Sequence, residues 1–289
     1  MSFGIIAAVL SALFFAIGNV FDKFVVEHRV KNPKVYAVLI GFVIFLINIT
    51  ASFFVGWSEV NWLLCIVPAI SGILSGITMW FFYRTIAKED ISNVVGIMYL
   101  FPIMVAVLSF VFIHENISFL GYLGMLITIT GTVMLTTKIR NLNRTVLSSM
   151  LIIAALTGIT DFLIKVGTTR LPAMNALIIN GMFVSFVMIG GMFIRNIRTE
   201  VIKEKRKIMF AFLGEPIYFV ANMMLFLAMA NLQATIVSSI AAIQPLLVIL
   251  LEYTINRFFR ISSDIRLKDR VVSISLIVFG VVLIYATGL

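Results

Sequence analysis

Of the ionisable side chains inside apolar stretches of this chain, five are candidates for chemistry. Asp161 and Lys165 lie four residues apart in one run, Glu215 and Glu252 interrupt two others, and Lys23 falls near the end of the first. An ionised side chain at the centre of a bilayer costs roughly 2.5–3.5 kcal/mol on insertion scales. Each of the five is therefore a candidate for binding substrate charge or a proton. Asp161 and Lys165, one helical turn apart, could instead pair with each other, and Lys23 could snorkel to the interface. Glu215 shares a helical face with Tyr218 and Asn222, and Gln244 lies two turns before Glu252. Asn19 precedes Lys23 by one turn, on a face that begins with the small residues Ala8, Ala12 and Ala16. Trp80 and Tyr83 could wall a site or form an interfacial belt. Pro102 and Pro245 stand near the middle of their runs. Each removes a backbone donor and frees the carbonyl four residues earlier, Met98 and Ala241. That suits a hinge or gate facing a cavity, or a kink healed by a neighbouring helix.

Other chemistries find no residues to carry them. Cys65 is the only cysteine, and His28 and His114 are the only histidines. His114-Glu115 is followed by Ser118 and not by a second histidine, so the zinc-protease spacing fails. There is no Gly-rich nucleotide loop and no nucleophile–base pair. No catalytic residue, metal or cofactor is expected, and the chain does not read as an enzyme.

The candidates are carried on long helices. Of the 289 residues, 61% are apolar and 12% charged, about half the charged share of soluble domains. The apolar residues fall in ten runs, at 4–26, 36–57, 63–86, 92–113, 119–137, 146–167, 174–194, 208–229, 234–256 and 271–287. Most are long enough to cross a hydrocarbon core of ~30 Å. The first lacks a basic leader and a cleavage site, so it reads as a helix and not as a signal peptide. The net charge of +9 does not point to nucleic acid, because its distribution has a topological cause. Nineteen of the 22 Lys and Arg fall in the odd-numbered connections, Arg170 alone falls on the other side, and Lys23 and Lys165 lie within helices. By the positive-inside rule the odd connections are cytoplasmic and both termini are outside. The basic stretch 195–207 reads as a solvated loop. Gly72 and Gly76 read as packing contacts, and Thr128, Thr130, Thr132, Thr136 and Thr137 as structural hydroxyls bonded to their own helix.

The runs repeat. Ala12, Ala16, Asn19 and Lys23 correspond to Ala154, Gly158, Asp161 and Lys165 at an offset of 142, and Pro102 corresponds to Pro245 at 143. Five runs per copy is an odd number, so the second copy enters the membrane from the opposite side. The expected fold is an all-α integral membrane protein of ten transmembrane helices, built as two inverted five-helix repeats. Residues 1–137 form the first repeat, 138–144 a cytoplasmic linker and 145–289 the second. Inverted repeats place substrate sites near the midplane of secondary transporters and open them to each side in turn.

These features resemble the drug/metabolite transporter superfamily, and within it the ten-helix EamA-type permeases. The resemblance rests on the five-plus-five repeat, on Gly18-Asn19-Val20-Phe21-Asp22-Lys23 echoed by Thr160-Asp161-Phe162-Leu163-Ile164-Lys165, and on Pro102 followed thirteen residues later by Glu115. The second half departs from it, because Phe258 stands thirteen residues after Pro245. The resemblance implies a cavity lined by helices 1, 3, 4, 6, 8 and 9, with helices 5 and 10 peripheral. It implies a permease of the cytoplasmic membrane that moves a small polar metabolite such as an amino acid, as exporter or exchanger. Its partners would be that substrate, membrane lipid, and protons or an exchanged metabolite, with no nucleic acid, in a monomer or homodimer. Export of amphipathic cations, flipping of a lipid-linked sugar and a non-transporting scaffold stand as alternatives.

Overall fold

The computed structural model describes residues 3–30, 32–57, 60–89, 91–115, 118–135, 144–258 and 271–286. Among them there is no strand. The helices are α1 (Phe3–His28), α2 (Pro33–Ser52), α3 (Ile66–Ile86), α4 (Ile91–Met98), α5 (Phe101–Ile113), α6 (Phe119–Leu135), α7 (Arg144–Thr168), α8 (Ala173–Ile189), α9 (Arg195–Glu204), α10 (Ile208–Asn231), α11 (Ala234–Ala241), α12 (Gln244–Phe258) and α13 (Val271–Ala286). Seven helical segments are long and apolar enough to cross a membrane, and three shorter apolar helices accompany them. Phe110, Phe112, Phe119, Val272 and Phe279 are exposed on the outside. An apolar exterior over so many long helices makes this a multi-pass membrane protein.

The two prolines break their helices and do not merely bend them. Pro102 lacks an N–H, and its ring crowds the carbonyl four residues back. Accordingly α4 ends at Met98, and Pro102 sits in the first turn of α5. In the same way α11 ends at Ala241, and Pro245 follows the first residue of α12. The freed carbonyls therefore mark the ends of two short helices inside the bundle.

Close packing depends on residues without a side chain. A Cβ on Gly72 would stand 2.3 Å from the Asn180 carbonyl oxygen, and one on Gly76 2.7 Å from the Val187 Cβ, so α3 lies directly on α8. α6 and α13 pair similarly, and α1 lies along α10. Thr128 and Thr130 do bond back to their own helix, but Thr132 donates across to the Ala242 carbonyl at 3.3 Å. Thr136 and Thr137 lie outside the described residues, as do linker residues 138–143.

The basic stretch 195–207 is helical and not a plain loop. α9 buries Ile197 and Val201 against Val35, Val38 and Leu39. Asn32 caps the start of α2, accepting from the Lys34 N–H at 3.0 Å, and donates to Glu200 at 2.6 Å. Those two apolar residues, one turn apart, give the segment a buried face that its many charges obscure.

Candidate functional site

A cavity of about 220 Å³ lies at the centre of the bundle. Its walls come from α1, α2, α3, α7, α8 and α10, and from the broken ends of α4/α5 and α11/α12. No residue of α6, α9 or α13 among the described residues lines it. α2 contributes Asn48 and α8 contributes Asn180, so the wall extends beyond the six helices the resemblance implies.

Of the residues singled out in the sequence, Asn19, Tyr83, Asp161, Glu215, Tyr218, Asn222 and Gln244 line this cavity. The helical faces explain the grouping. Asn19 accepts from the Tyr218 hydroxyl at 2.9 Å, joining α1 to α10. Asn222, one turn further along α10, donates to the Tyr218 carbonyl at 2.8 Å. Gln244, at the start of α12, accepts from the Tyr99 hydroxyl, so a side-chain bond spans the two helix breaks. Asp161 is 7% and Glu215 3% exposed.

Lys23, Trp80, Glu252, Lys165, Pro102 and Pro245 do not line the cavity. The sequence spacing suggests an Asp161–Lys165 pair, but Lys165 donates instead to the carbonyls of Met229 at 2.9 Å and Leu232 at 2.6 Å. It thereby satisfies acceptors at the end of α10 that have no helical partner. Lys23 does the same for α3, bonding Ile86 at 2.9 Å and Glu89 at 3.0 Å. The two pairs of acceptors stand 143 residues apart in the chain. Trp80 donates to the Val187 carbonyl at 3.4 Å and packs over Gly191, at the α3–α8 seam. Glu252 is half-buried on α12.

Four residues of consequence escaped the sequence reading. Tyr99, Asn48 and Asn180 all face the cavity. Asp22 lies behind its wall, fully buried, and accepts from Tyr36 at 2.9 Å and Tyr83 at 2.8 Å. Single polar residues in otherwise apolar runs were the available signal, since each must find a partner in lipid.

Glu115 has a separate place. The chain turns sharply at His114, whose φ of 53° is left-handed, and Glu115 then reaches the start of α11. There it accepts from the Ala234 N–H at 2.9 Å and from the Thr235 N–H and hydroxyl at 3.3 Å each. Among the described residues no group of three His, Cys, Asp or Glu could hold a metal ion.

Among solved structures, 26 chains match this one. One of them, described only as the crystal structure of a protein, superposes with a TM-score of 0.69 over 97% of this chain and 94% of its own, at 15% identity. At that identity the likeness is one of fold. No curated protein matches. Residues 2–137 match the model of the EamA-like transporter family. By that match the chain is similar, over just under half of its length, to the EamA-like transporters of the drug/metabolite transporter superfamily.

Proposed function

We propose that this protein is a secondary carrier of a small polar metabolite, an exporter or exchanger that works by alternating access. One observation carries the reading. A cavity holding several polar side chains is bounded by the ends of two broken helices whose prolines recur at an offset of 143, beside lysines that cap α3 and α10 and recur at an offset of 142. Broken helices around a central site are how inverted-repeat transporters expose polar backbone to a substrate. On this reading the seven long and three shorter apolar helical segments make ten crossings. Residues 1–137 and 145–289 are the two inverted halves, joined by a cytoplasmic linker at 138–144, and both termini lie outside. Pro102 and Pro245 allow the half-helices to swing, and Asn19, Asp161, Glu215, Tyr218, Asn222 and Gln244 meet the substrate.

The test is counterflow. Purified protein in liposomes loaded with one unlabelled metabolite should concentrate the same metabolite, labelled, from outside. An absence of counterflow across a panel of amino acids, amines, sugars, nucleosides and organic acids would defeat the carrier reading. Cysteines placed in α9 of a Cys65→Ser background report topology, and labelling of α9 from outside intact cells would overturn the orientation.

A further inference from the structure

The charge of the cavity narrows the substrate, provided the carrier reading holds. Two carboxylates, Asp161 from α7 and Glu215 from α10, line it. No lysine, arginine or histidine among the described residues does. The lysine best placed to neutralise Asp161, one turn further on, is instead held by the Met229 and Leu232 carbonyls. Lys23 is held likewise by Ile86 and Glu89. Burying an ionised carboxylate without a partner is costly.

The chain shows how it treats a buried carboxylate whose role is structural. Asp22 takes hydrogen bonds from two tyrosines, Tyr36 and Tyr83, and is sealed from the cavity. Glu215 and Asp161 are left open. Glu215 Oε1 is buried with no hydrogen-bond partner, and Asp161 lines the same cavity. Two further lining atoms, Asn48 Oδ1 and Thr160 Oγ1, are also buried and unpartnered. All of these are oxygens. Buried polar atoms in proteins are almost always paired, so a cluster of unpaired oxygens around one cavity, each able to accept, points to a ligand that brings donors. Phe15, Tyr83, Tyr99, Tyr218 and Phe219 add aromatic surface, which attracts a cation when water is excluded.

We propose that the substrate is a small organic cation rich in N–H donors, an ammonium or guanidinium compound, with Asp161 and Glu215 as its countercharges. An anion would meet two carboxylates with no counterion. A neutral solute would leave both unmatched.

The test compares cations with uncharged partners of the same shape. The melting midpoint of the full chain in detergent is recorded at neutral pH against putrescine and 1,4-butanediol, butylguanidine and butylurea, and glutarate as the anion. Ligands that bind the folded state alone raise the midpoint by mass action. The expected result is stabilisation by at least one cation, with about tenfold or more of its uncharged partner needed for the same shift. Asp161→Asn and Glu215→Gln should each weaken the cation's effect by about tenfold or more. Equal shifts from cation and uncharged partner, stabilisation by glutarate alone, or no shift from either cation would overturn the proposal. If a variant fails to fold, the isostere comparison on the unaltered chain still decides. Cation binding without counterflow would defeat the carrier reading and leave this inference intact, whereas counterflow of an uncharged solute alone would do the reverse.

Discussion

Replacing Lys165 with methionine removes an ammonium and keeps most of the side chain's bulk. The structure gives that ammonium two jobs, accepted by the Met229 and Leu232 carbonyls at 2.9 and 2.6 Å. Both carbonyls lie where α10 ends, so neither has a helical donor to fall back on. Hydrogen bonds to charged groups contribute about 1.5–3 kcal/mol each. Lys165 is only half-buried, so the low end applies and the pair is worth about 2–4 kcal/mol. Each kcal/mol moves the melting midpoint of a chain of this size by about 2 °C, so Lys165→Met should melt about 4–8 °C lower. The assay is thermal unfolding of detergent-purified protein without ligand. Counterflow, measured on the fraction that remains folded, should keep its substrate preference, because the ammonium faces the end of a helix and not the cavity. An unshifted midpoint together with lost or altered substrate preference would refute the reasoning and put Lys165 in the binding site.

Four other outcomes follow from the geometry. Lys23→Met should destabilise to a similar degree, since it leaves the Ile86 and Glu89 carbonyls without their donor; a midpoint equal to that of the unaltered chain would contradict this. His114→Gly should stabilise by about 0.5–1 kcal/mol, because glycine adopts the left-handed turn at φ 53° without steric cost; a lower melting midpoint would argue that the imidazole itself matters. Gly72→Ala should cost about 1–3 kcal/mol, since its methyl would press on the Asn180 carbonyl oxygen; unchanged stability would mean that α3 and α8 can separate freely. Glu115→Gln should speed hydrogen exchange at the Ala234 and Thr235 amides by about tenfold, the equivalent of ~1.4 kcal/mol of lost capping; unchanged exchange there would mean that the carboxylate does not hold α11.

Helix positions were legible in the sequence because lipid imposes long apolar runs. Among the described residues each run falls on helix, and two of the runs are divided between two helices at a proline. The breaks were legible too, since proline's missing donor is a local property. What the sequence concealed was where long side chains go. Asp161 and Lys165 sit one turn apart and look like a pair, yet the lysine's reach along the helix finds carbonyls some sixty residues away in the chain. No local pattern encodes that partner. The same limit hid Tyr99, whose importance lies in touching Gln244 from the other break. α9 was missed for a different reason: Ile197 and Val201 are two apolar residues among many charges, too few to register until α2 supplies the surface they cover.

The way the helices are interleaved bears on how the molecule is made. α1 lies along α10, α6 along α13, and α3 against both α7 and α8, so the early helices meet the late ones and rarely each other. A ribosome delivers α1 to α6 into the bilayer before any of those later surfaces exists. During that interval the Asn19 side chain lacks Tyr218, and Glu115 lacks the amides it will cap. The nascent first half must therefore wait in the membrane as loosely associated helices until α7 to α13 supply those surfaces. Coexpression of residues 1–140 and 141–289 as separate chains should then restore a folded protein, whereas either piece alone should be degraded.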